Sequence, residues 1–403
     1  MLNVKTPDEA LAIIRSEFSK DIKKEFVPLK NALGRTAADD VVSTEFVPDF
    51  DRSTVDGYAV KASDTFGCSE ALPAVLNNIA DIKMGDDTDI KIKDGECASV
   101  PTGGELPDGA DSVVMLEYSE DYGDGTVGIL KPSAPGNGVI FRGDDIRPGG
   151  VVIKRGKKLT PADIGALASL GITEIAVSKK PKVGIISTGN ELVKTSEKPK
   201  GGEIRDVNSD LLYALVESFG AVPVSFGIVR DDENEIRKVL EEAVNECDAV
   251  LISGGSSVGE KDMSCKLIGE IGKLLFHGLL MKPGKPTILG NAGGKPVFGL
   301  PGHPAAAFFV TEIFVRAALS VLTGEETNRY GIKAILDENV SSNHGRAEFI
   351  AVKLYQKDGK LFAHPLRSKS GLISTLSRAD GFFEIDALTE GVSSNDEIMV
   401  TAV

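Results

Sequence analysis

A chain of 403 residues exceeds one ordinary hydrophobic core, so several domains are expected. The formal charge of -15 opposes a nonspecific grip on nucleic acid or an anionic membrane, and a chain with no tryptophan and 6% aromatics is not built to read bases by stacking. The same charge means that an anionic substrate must be held by local amides, a few lysines or a metal.

The opening segment MLNVKTPDEALAIIRSEF reads as an amphipathic helix behind a Thr6 cap, not as a signal peptide. Residues 1 to about 45 read as helical, ending near Asn31-Ala32-Leu33-Gly34-Arg35. No apolar run is read as approaching the ~20 residues of a membrane span. Cys68, Cys97, Cys247 and Cys265 are scattered without metal spacing, as inert thiols of a reducing compartment would be, and a cytoplasmic location is expected. From about 46 to 140, short β-type runs lie between turns such as Gly85-Asp86-Asp87, Pro107-Asp108-Gly109 and Gly123-Asp124-Gly125, which predicts a small β module. Thr160 then caps a helix with Pro161 at its first position. The helices at the two ends are expected to pack together, making the module an insertion.

Strand and helix alternate from about 178 to 322. Val183-Gly184-Ile185-Ile186-Ser187 reads as a strand buried on both faces. A helix from Asn208 closes at Gly220, and Val222 to Val229 is a strand. Ile236, Val239, Leu240, Ala243 and Val244 make a core-facing helical stripe, followed by strands at Ala249 to Ser253 and Pro296 to Leu300. The alternation predicts a parallel-rich sheet with ligands at its carboxyl edge. The last 75 or so residues return to β texture, as a small barrel or sandwich. The expected fold is multidomain α/β plus β. A helical linking domain (1–45 plus 141–177) carries an inserted β domain (46–140), and a three-layer α/β domain (178–325) precedes a barrel-like β domain (326–403).

Four loops leave the expected carboxyl edge. In Ser187-Thr188-Gly189-Asn190-Glu191, small residues let amides approach an anion beside the Glu191 carboxylate, or simply make a tight turn. Gly254, Gly255 and Ser256 in SGGSSVGEKD form either an amide nest for phosphate or a flexible turn, without Walker spacing. Asp262 there binds a ligand or caps the next helix. Met281-Lys282-Pro283-Gly284-Lys285-Pro286 is a stiff basic loop, an anion clamp or a solvated surface. Gly299-Leu300-Pro301-Gly302-His303-Pro304 is a rigid turn into an Ala-rich helix, with His303 read as structural rather than as a base. Asp56-Gly57 and the Asp144-Asp145 pair add carboxylates on the β module, which reads singly as turn or solvated surface.

DRSTVDGYAV, PTGGELP, FRGDDI, STGNEL, SGGSSVGEKD, MKPGKP and GLPGHP occur in the order and spacing of the MoeA/gephyrin E-domain family, which the chain resembles along essentially its whole length. The resemblance implies an elongated four-domain homodimer, with each cleft between the α/β domain of one subunit and the β insertion of its partner. It implies insertion of molybdate (or tungstate) into adenylylated molybdopterin, with Mg²⁺-dependent release of AMP. Carried over by motif, Asp56, Asp145, Glu191, Asp231 and Asp262 are the catalytic acids, and all but Asp231 are expected on Mg²⁺. Thr102, Ser187, Thr188, Gly189, Gly254, Gly255, Ser256, Lys282, Lys285, Pro301 and Pro304 are the expected substrate contacts, with Arg346 and Ser370 in looser C-terminal motifs. A molybdopterin adenylyltransferase and cofactor-accepting enzymes are the implied partners, with no nucleic acid and no membrane. Two positions depart from the family pattern: Gly278, where some relatives carry a basic residue, and His303, where many bacterial relatives carry asparagine. The competing readings are a molybdopterin adenylyltransferase, which would need only the α/β domain, and a gephyrin-like scaffold, which would be expected to carry further domains ahead of residue 1.

Overall fold

Helix α1 (Pro7–Phe18) begins with a capping box: Thr6 Oγ1 accepts from the Glu9 N–H at 3.2 Å, and the Glu9 carboxylate accepts from the Thr6 N–H at 2.9 Å. Its buried face is Ala10, Ile14 and Phe18, four residues apart. The computed structural model describes residues 4–18, 22–85, 89–254, 258–326, 331–366 and 373–403, and for residues 258–262 the backbone alone.

The helix expected to run on toward residue 45 stops at Phe18. Lys24–Pro28 is instead a strand, antiparallel to Glu174–Ser178. Val27 is β-branched and precedes a proline, which disfavours helix there, and it packs into a small core with Ile153, Leu159, Leu167 and Ile175. Two more antiparallel ribbons follow, Val41–Val42 with Val151–Ile153 and Arg52–Ser53 with Val139–Ile140. These ribbons carry the chain out to the β module and back. The expected packing of the two end helices is therefore corrected. Helix α2 (Pro161–Ser169), with its Thr160–Asp163 capping box, buries Leu167 in the ribbon core, whereas α1 belongs to the α/β core. Strand pairing, not helix packing, makes the module an insertion.

In the module, β1 (Gly57–Val60), β2 (Ala74–Asp81), β3 (Glu96–Val100), β4 (Ser112–Met115), β5 (Ser119–Asp121) and β6 (Thr126–Ile129) form one sheet in the order β4-β1-β3-β2-β6-β5.

The α/β sheet contains β7 (Lys182–Thr188), β8 (Val222–Val229), β9 (Ala249–Gly254), β10 (Lys273–His277), β11 (Ile288–Ala292) and β12 (Lys295–Leu300), in the order β8-β7-β9-β12-β11-β10. Strands β8, β7, β9 and β12 are parallel. Strand β11 runs against both its neighbours, so β10 shares the direction of β12 and ends at the same edge. The Gly293-Gly294 turn, with φ of 62° and 85°, closes the β11–β12 hairpin as a two-residue loop with two positive φ values requires. Val183 and Ile185 face a core with α1 and α3 (Val207–Ser218), and Ile186 faces another with α4 (Glu233–Glu246) and α5 (Val258–Ile271). Helices on both faces make three layers. Helix α3 ends as a Schellman motif, with Gly220 at φ 82° and Ala221 N–H donating to Val216 O.

Helix α6 (Pro304–Val310) runs through a π-helical turn, Thr311–Val315, into α7 (Arg316–Thr323). By length and composition alone this 20-residue helix could cross a membrane, which corrects the reading that no apolar run approaches that length. Two thirds of that stretch (67%) is buried inside the protein, against α1 and the sheet, as a core helix would be.

Strands β13 (Gly331–Leu336), β14 (Ala347–Lys357), β15 (Lys360–Pro365), β16 (Gly381–Ile385) and β17 (Glu397–Ala402) pair in the order β14-β15-β13-β17-β16 and back to β14. Of the barrel and the sandwich, the structure is the barrel. Because Phe18 lies in the α/β core, Phe18→Ala is expected to cost about 3–5 kcal/mol. Hydrogen exchange should then rise in α7 while the Lys24–Pro28 ribbon stays protected; equal loss in the ribbon would return α1 to the linking domain.

Candidate functional site

The carboxyl ends of β7, β9, β10 and β12 share one edge of the sheet, and buried polar groups tie them together. Asp206 caps α3 and accepts from the Ser209 hydroxyl at 2.5 Å, and Ser209 in turn hydrogen-bonds the buried Ser187 hydroxyl at 2.8 Å. The Asn208 amide donates to Ser253 Oγ at 2.7 Å and to Gly302 O at 2.9 Å, linking α3 to the ends of β9 and β12. Its Oδ1 is buried without a hydrogen-bond partner among the described residues. Gly254, at φ 139°, is fixed by contact: a Cβ there would sit 2.0 Å from the carbonyl oxygen of the buried Thr188. Glycine alone lets the ends of β7 and β9 lie this close.

Gly189 serves the neighbouring loop in a similar way. A Cβ there would meet the Glu191 carboxylate at 2.8 Å, so the missing side chain leaves room for that group over the strand end. Asp231 accepts from the Asn190 N–H at 3.0 Å, and Asn190 Oδ1 accepts from the Asp231 N–H at 3.3 Å. Asp231 thus braces the loops after β7 and β8 against each other. Gly255 and Ser256 lie outside the described residues, as does Ser370. Asp262 is the fifth residue of α5, inside the helix and not at its cap, so the capping alternative is removed.

A cavity of about 690 Å³ opens between this edge and the barrel. Lys282, Lys285, Pro301, His303, Arg346 and Glu348 are among its lining residues. The wall is made by a short strand, Met281–Lys282, paired in parallel with the start of β14 so that Lys282 lies opposite Glu348. Ala347 N–H donates to Leu280 O at 2.9 Å across the same seam. The basic loop is stiff, closed by Gly278 N–H to Thr287 O and Leu279 N–H to Lys285 O, both 2.8 Å. Gly284 at φ 122° packs on Val310 and Met281, where a Cβ would come within 3.0 Å. The structure therefore gathers Lys282, Lys285, Pro301 and Arg346 from three separate motifs. Pro304 instead sits in the first turn of α6, where its fixed φ suits a helix start.

Glu348 escaped the sequence reading. Its carboxylate is nearly buried, meets the Lys282 ammonium at 2.7 Å, and accepts from Ser342 Oγ at 2.9 Å. The signal lay in a Glu beside apolar residues at the start of a strand, but its partner is 66 residues away. Gly278 has a conformational explanation. Its φ is 111°, a Cβ would press on Val4 at 3.3 Å, and its carbonyl accepts from the Lys5 N–H. A glycine there lets the N-terminal segment cross the loop.

The remaining acids are on the insertion. Asp56 is exposed, and its Oδ1 accepts from Thr102 N–H at 2.6 Å and from Thr102 Oγ1 at 2.9 Å. These two bonds, the backbone one foremost, hold its carboxyl below the ordinary 3.8. Asp145 is exposed at the return of the insertion, its N–H on Val47 O at 3.1 Å. Among the described residues, no group of three or more His, Cys, Asp or Glu stands close enough to hold a metal ion. Asp56 and Asp145 lie on the insertion side and Glu191 follows β7 of the α/β sheet, and the side chain of the fourth expected ligand, Asp262, lies outside the described residues.

Thr102→Val is expected to raise the Asp56 pKa toward 3.8, by loss of the hydroxyl donor and loosening of the amide one. The lowered folded pKa favours the ionised form, so its contribution is complete above 3.8 and is lost as pH falls through the folded value. Carboxyl NMR titration reads this directly; an unmoved Asp56 would show that the Thr102 hydroxyl bond does not hold in solution.

With the geometry in place, the similarities to known proteins are consistent along the chain. The family model for the MoeA N-terminal region (domain I and II) matches residues 5–171. That for a probable molybdopterin binding domain matches 184–321, and that for the MoeA C-terminal region (domain IV) matches 333–403. A putative molybdopterin biosynthesis protein of Methanocaldococcus jannaschii is 35% identical, covering 96% of this chain and 94% of its own length. A molybdopterin molybdenumtransferase of Bacillus subtilis is 30% identical, over 100% of this chain and 96% of its own. The crystal structure of a molybdopterin biosynthesis MoeA protein from Pyrococcus horikoshii OT3 is 35% identical, with a TM-score of 0.87 over 99% of this chain and 100% of that one. Sequence, order of domains and fold agree from end to end, and the chain belongs to the MoeA family.

Proposed function

We propose that this chain is a molybdopterin molybdenumtransferase that inserts molybdate, or tungstate, into adenylylated molybdopterin and releases AMP with Mg²⁺. The observation that supports it is the cavity. In a chain of charge -15, Lys282, Lys285 and Arg346 line one space of about 690 Å³, where Glu348 is the only lining carboxylate among the described residues. An oxyanion suits that space, because two lysine ammoniums and a guanidinium supply many N–H donors and outweigh the one negative charge. The pterin part would lie along the adjoining sheet edge, where the loops after β7 and β9 leave the strand ends side by side.

The acids suit a hard cation, since they offer only carboxylate oxygens. We read them as a set shared between two subunits, as the family resemblance implies. Asp56 and Asp145 of a partner's insertion, Glu191 and Asp262 of this α/β domain, and phosphate oxygens of the substrate would complete it. Bound there, Mg²⁺ would offset charge on the phosphoanhydride as AMP departs. The arrangement requires a homodimer. The dithiolene sulfurs belong to the substrate, consistent with the absence of metal spacing among the four cysteines. The setting we propose is cytoplasmic, between an adenylyltransferase that supplies the substrate and enzymes that accept the cofactor.

The test is AMP release from adenylylated molybdopterin with Mg²⁺ and either molybdate or tungstate. Oxyanion-dependent release is expected, falling about a hundredfold or more in Asp56→Ala and Asp262→Ala proteins that still fold and dimerise. Because each cleft draws on two subunits, mixing and reassociating inactive Asp56→Ala and Glu191→Ala chains should restore about a quarter of the activity, since half the dimers are mixed and each carries one intact cleft. No restoration would place the whole site in one subunit. No release by the unaltered protein, despite tight pterin binding, would favour a scaffold.

A further inference from the structure

The carboxylate in the cavity calls for an explanation, because a negative group lining an anion site opposes the anion. Glu348 is only 8% exposed, whereas the Lys282 side chain is 57% exposed. Left alone, an exposed lysine samples many rotamers on its four-carbon stem, and an incoming anion would have to order it. Glu348 does not share that freedom. Its Oε2 accepts from Ser342 Oγ at 2.9 Å, its Oε1 meets the Lys282 ammonium at 2.7 Å, and its backbone lies in register with Lys282. An ammonium has three N–H donors, and one directed at Oε1 leaves two for the cavity.

We infer that Glu348 is a positioning residue, which fixes the Lys282 ammonium so that its remaining donors face the oxyanion. The inference rests on the function proposed above. Glu348 does not touch the substrate; it acts through Lys282. Ser342 supports it by holding the second carboxylate oxygen. Because Glu348 is on the barrel and Lys282 follows β10 of the sheet, the lysine is aimed only while the barrel is docked. The C-terminal domain thereby becomes part of the oxyanion site rather than a passive attachment.

The test compares Glu348→Gln, Glu348→Asp, Ser342→Ala, Lys282→Met and the Glu348→Gln/Lys282→Met double variant in the full-length protein. Molybdate KM and kcat are read from AMP release, and molybdate binding from calorimetry. Glu348→Gln is expected to raise the molybdate KM and Kd about tenfold with kcat within about threefold, and Ser342→Ala about threefold in the same sense. Glu348→Asp should recover part of the loss. The deciding comparison is non-additivity: if Glu348 acts through Lys282, the double variant binds molybdate no worse than Lys282→Met alone. Additive losses would overturn the inference, as would a Glu348→Gln protein with unchanged KM or tighter molybdate binding. Should Glu348→Gln fail to fold, Ser342→Ala carries the same comparison with Lys282→Met. Absence of molybdate binding and turnover in the unaltered protein would instead remove the proposed function itself.

Discussion

The seam between Met281–Lys282 and the first residues of β14 is the constraint on which the cavity depends. Two paired residues are little in themselves, but they set a register, and in a sheet a shift of one residue turns every side chain to the opposite face. With Lys282 opposite Glu348, the basic loop, the Pro301 turn and Arg346 are brought around one space. The buried apolar face of the seam makes the register hold. Met281, Phe309, Phe349 and Phe382 share one core with the sheet, and the Phe309 and Phe382 rings meet edge to face at 5.3 Å.

Charge is distributed with the same economy. The chain carries 60 acidic against 45 basic residues, yet the described part of the cavity wall reverses that balance locally. Field from distant surface acids is screened within about 10 Å at ordinary salt. Lysines and an arginine held close together therefore govern what the cavity attracts, whatever the net charge. The global charge opposes polyanions, while the local one makes the described wall of this one cavity basic.

How much of this was legible depended on how far away each group's partner lies. Strands β7, β8, β9 and β12 could be read because buried apolar runs and helix caps are local signals, as were Thr160-Pro161 and Gly220. The strand Lys24–Pro28 was read as helix because its partner, Glu174–Ser178, lies about 150 residues on. Strands β10 and β11 were missed although Gly293-Gly294 marks the β11–β12 hairpin, since the short run Lys273–His277 follows α5 with little punctuation. The cavity-lining residues Lys282, Lys285 and Pro301 were legible as unusual loops at one sheet edge. Glu348 was not, because a carboxylate at the start of a strand becomes a lysine's partner only through the register of two domains.

The N-terminal segment adds a consequence in time rather than in space. Lys5 pairs with Leu279, and its backbone bonds both Gly278 and Leu280, so this N-terminal segment closes onto a loop made about 270 residues later. At ordinary synthesis rates, tens of seconds separate the two on the ribosome. Throughout that interval Ala10, Ile14 and Phe18 have no core to enter, although the ribbons and the insertion can already fold behind them. The basic loop is likewise incomplete until the amino terminus returns to it. The newborn chain thus carries an unsatisfied apolar helix while the roughly 260 residues from Phe18 to Met281 are added, and the cavity takes its final form only when segments made far apart in time meet.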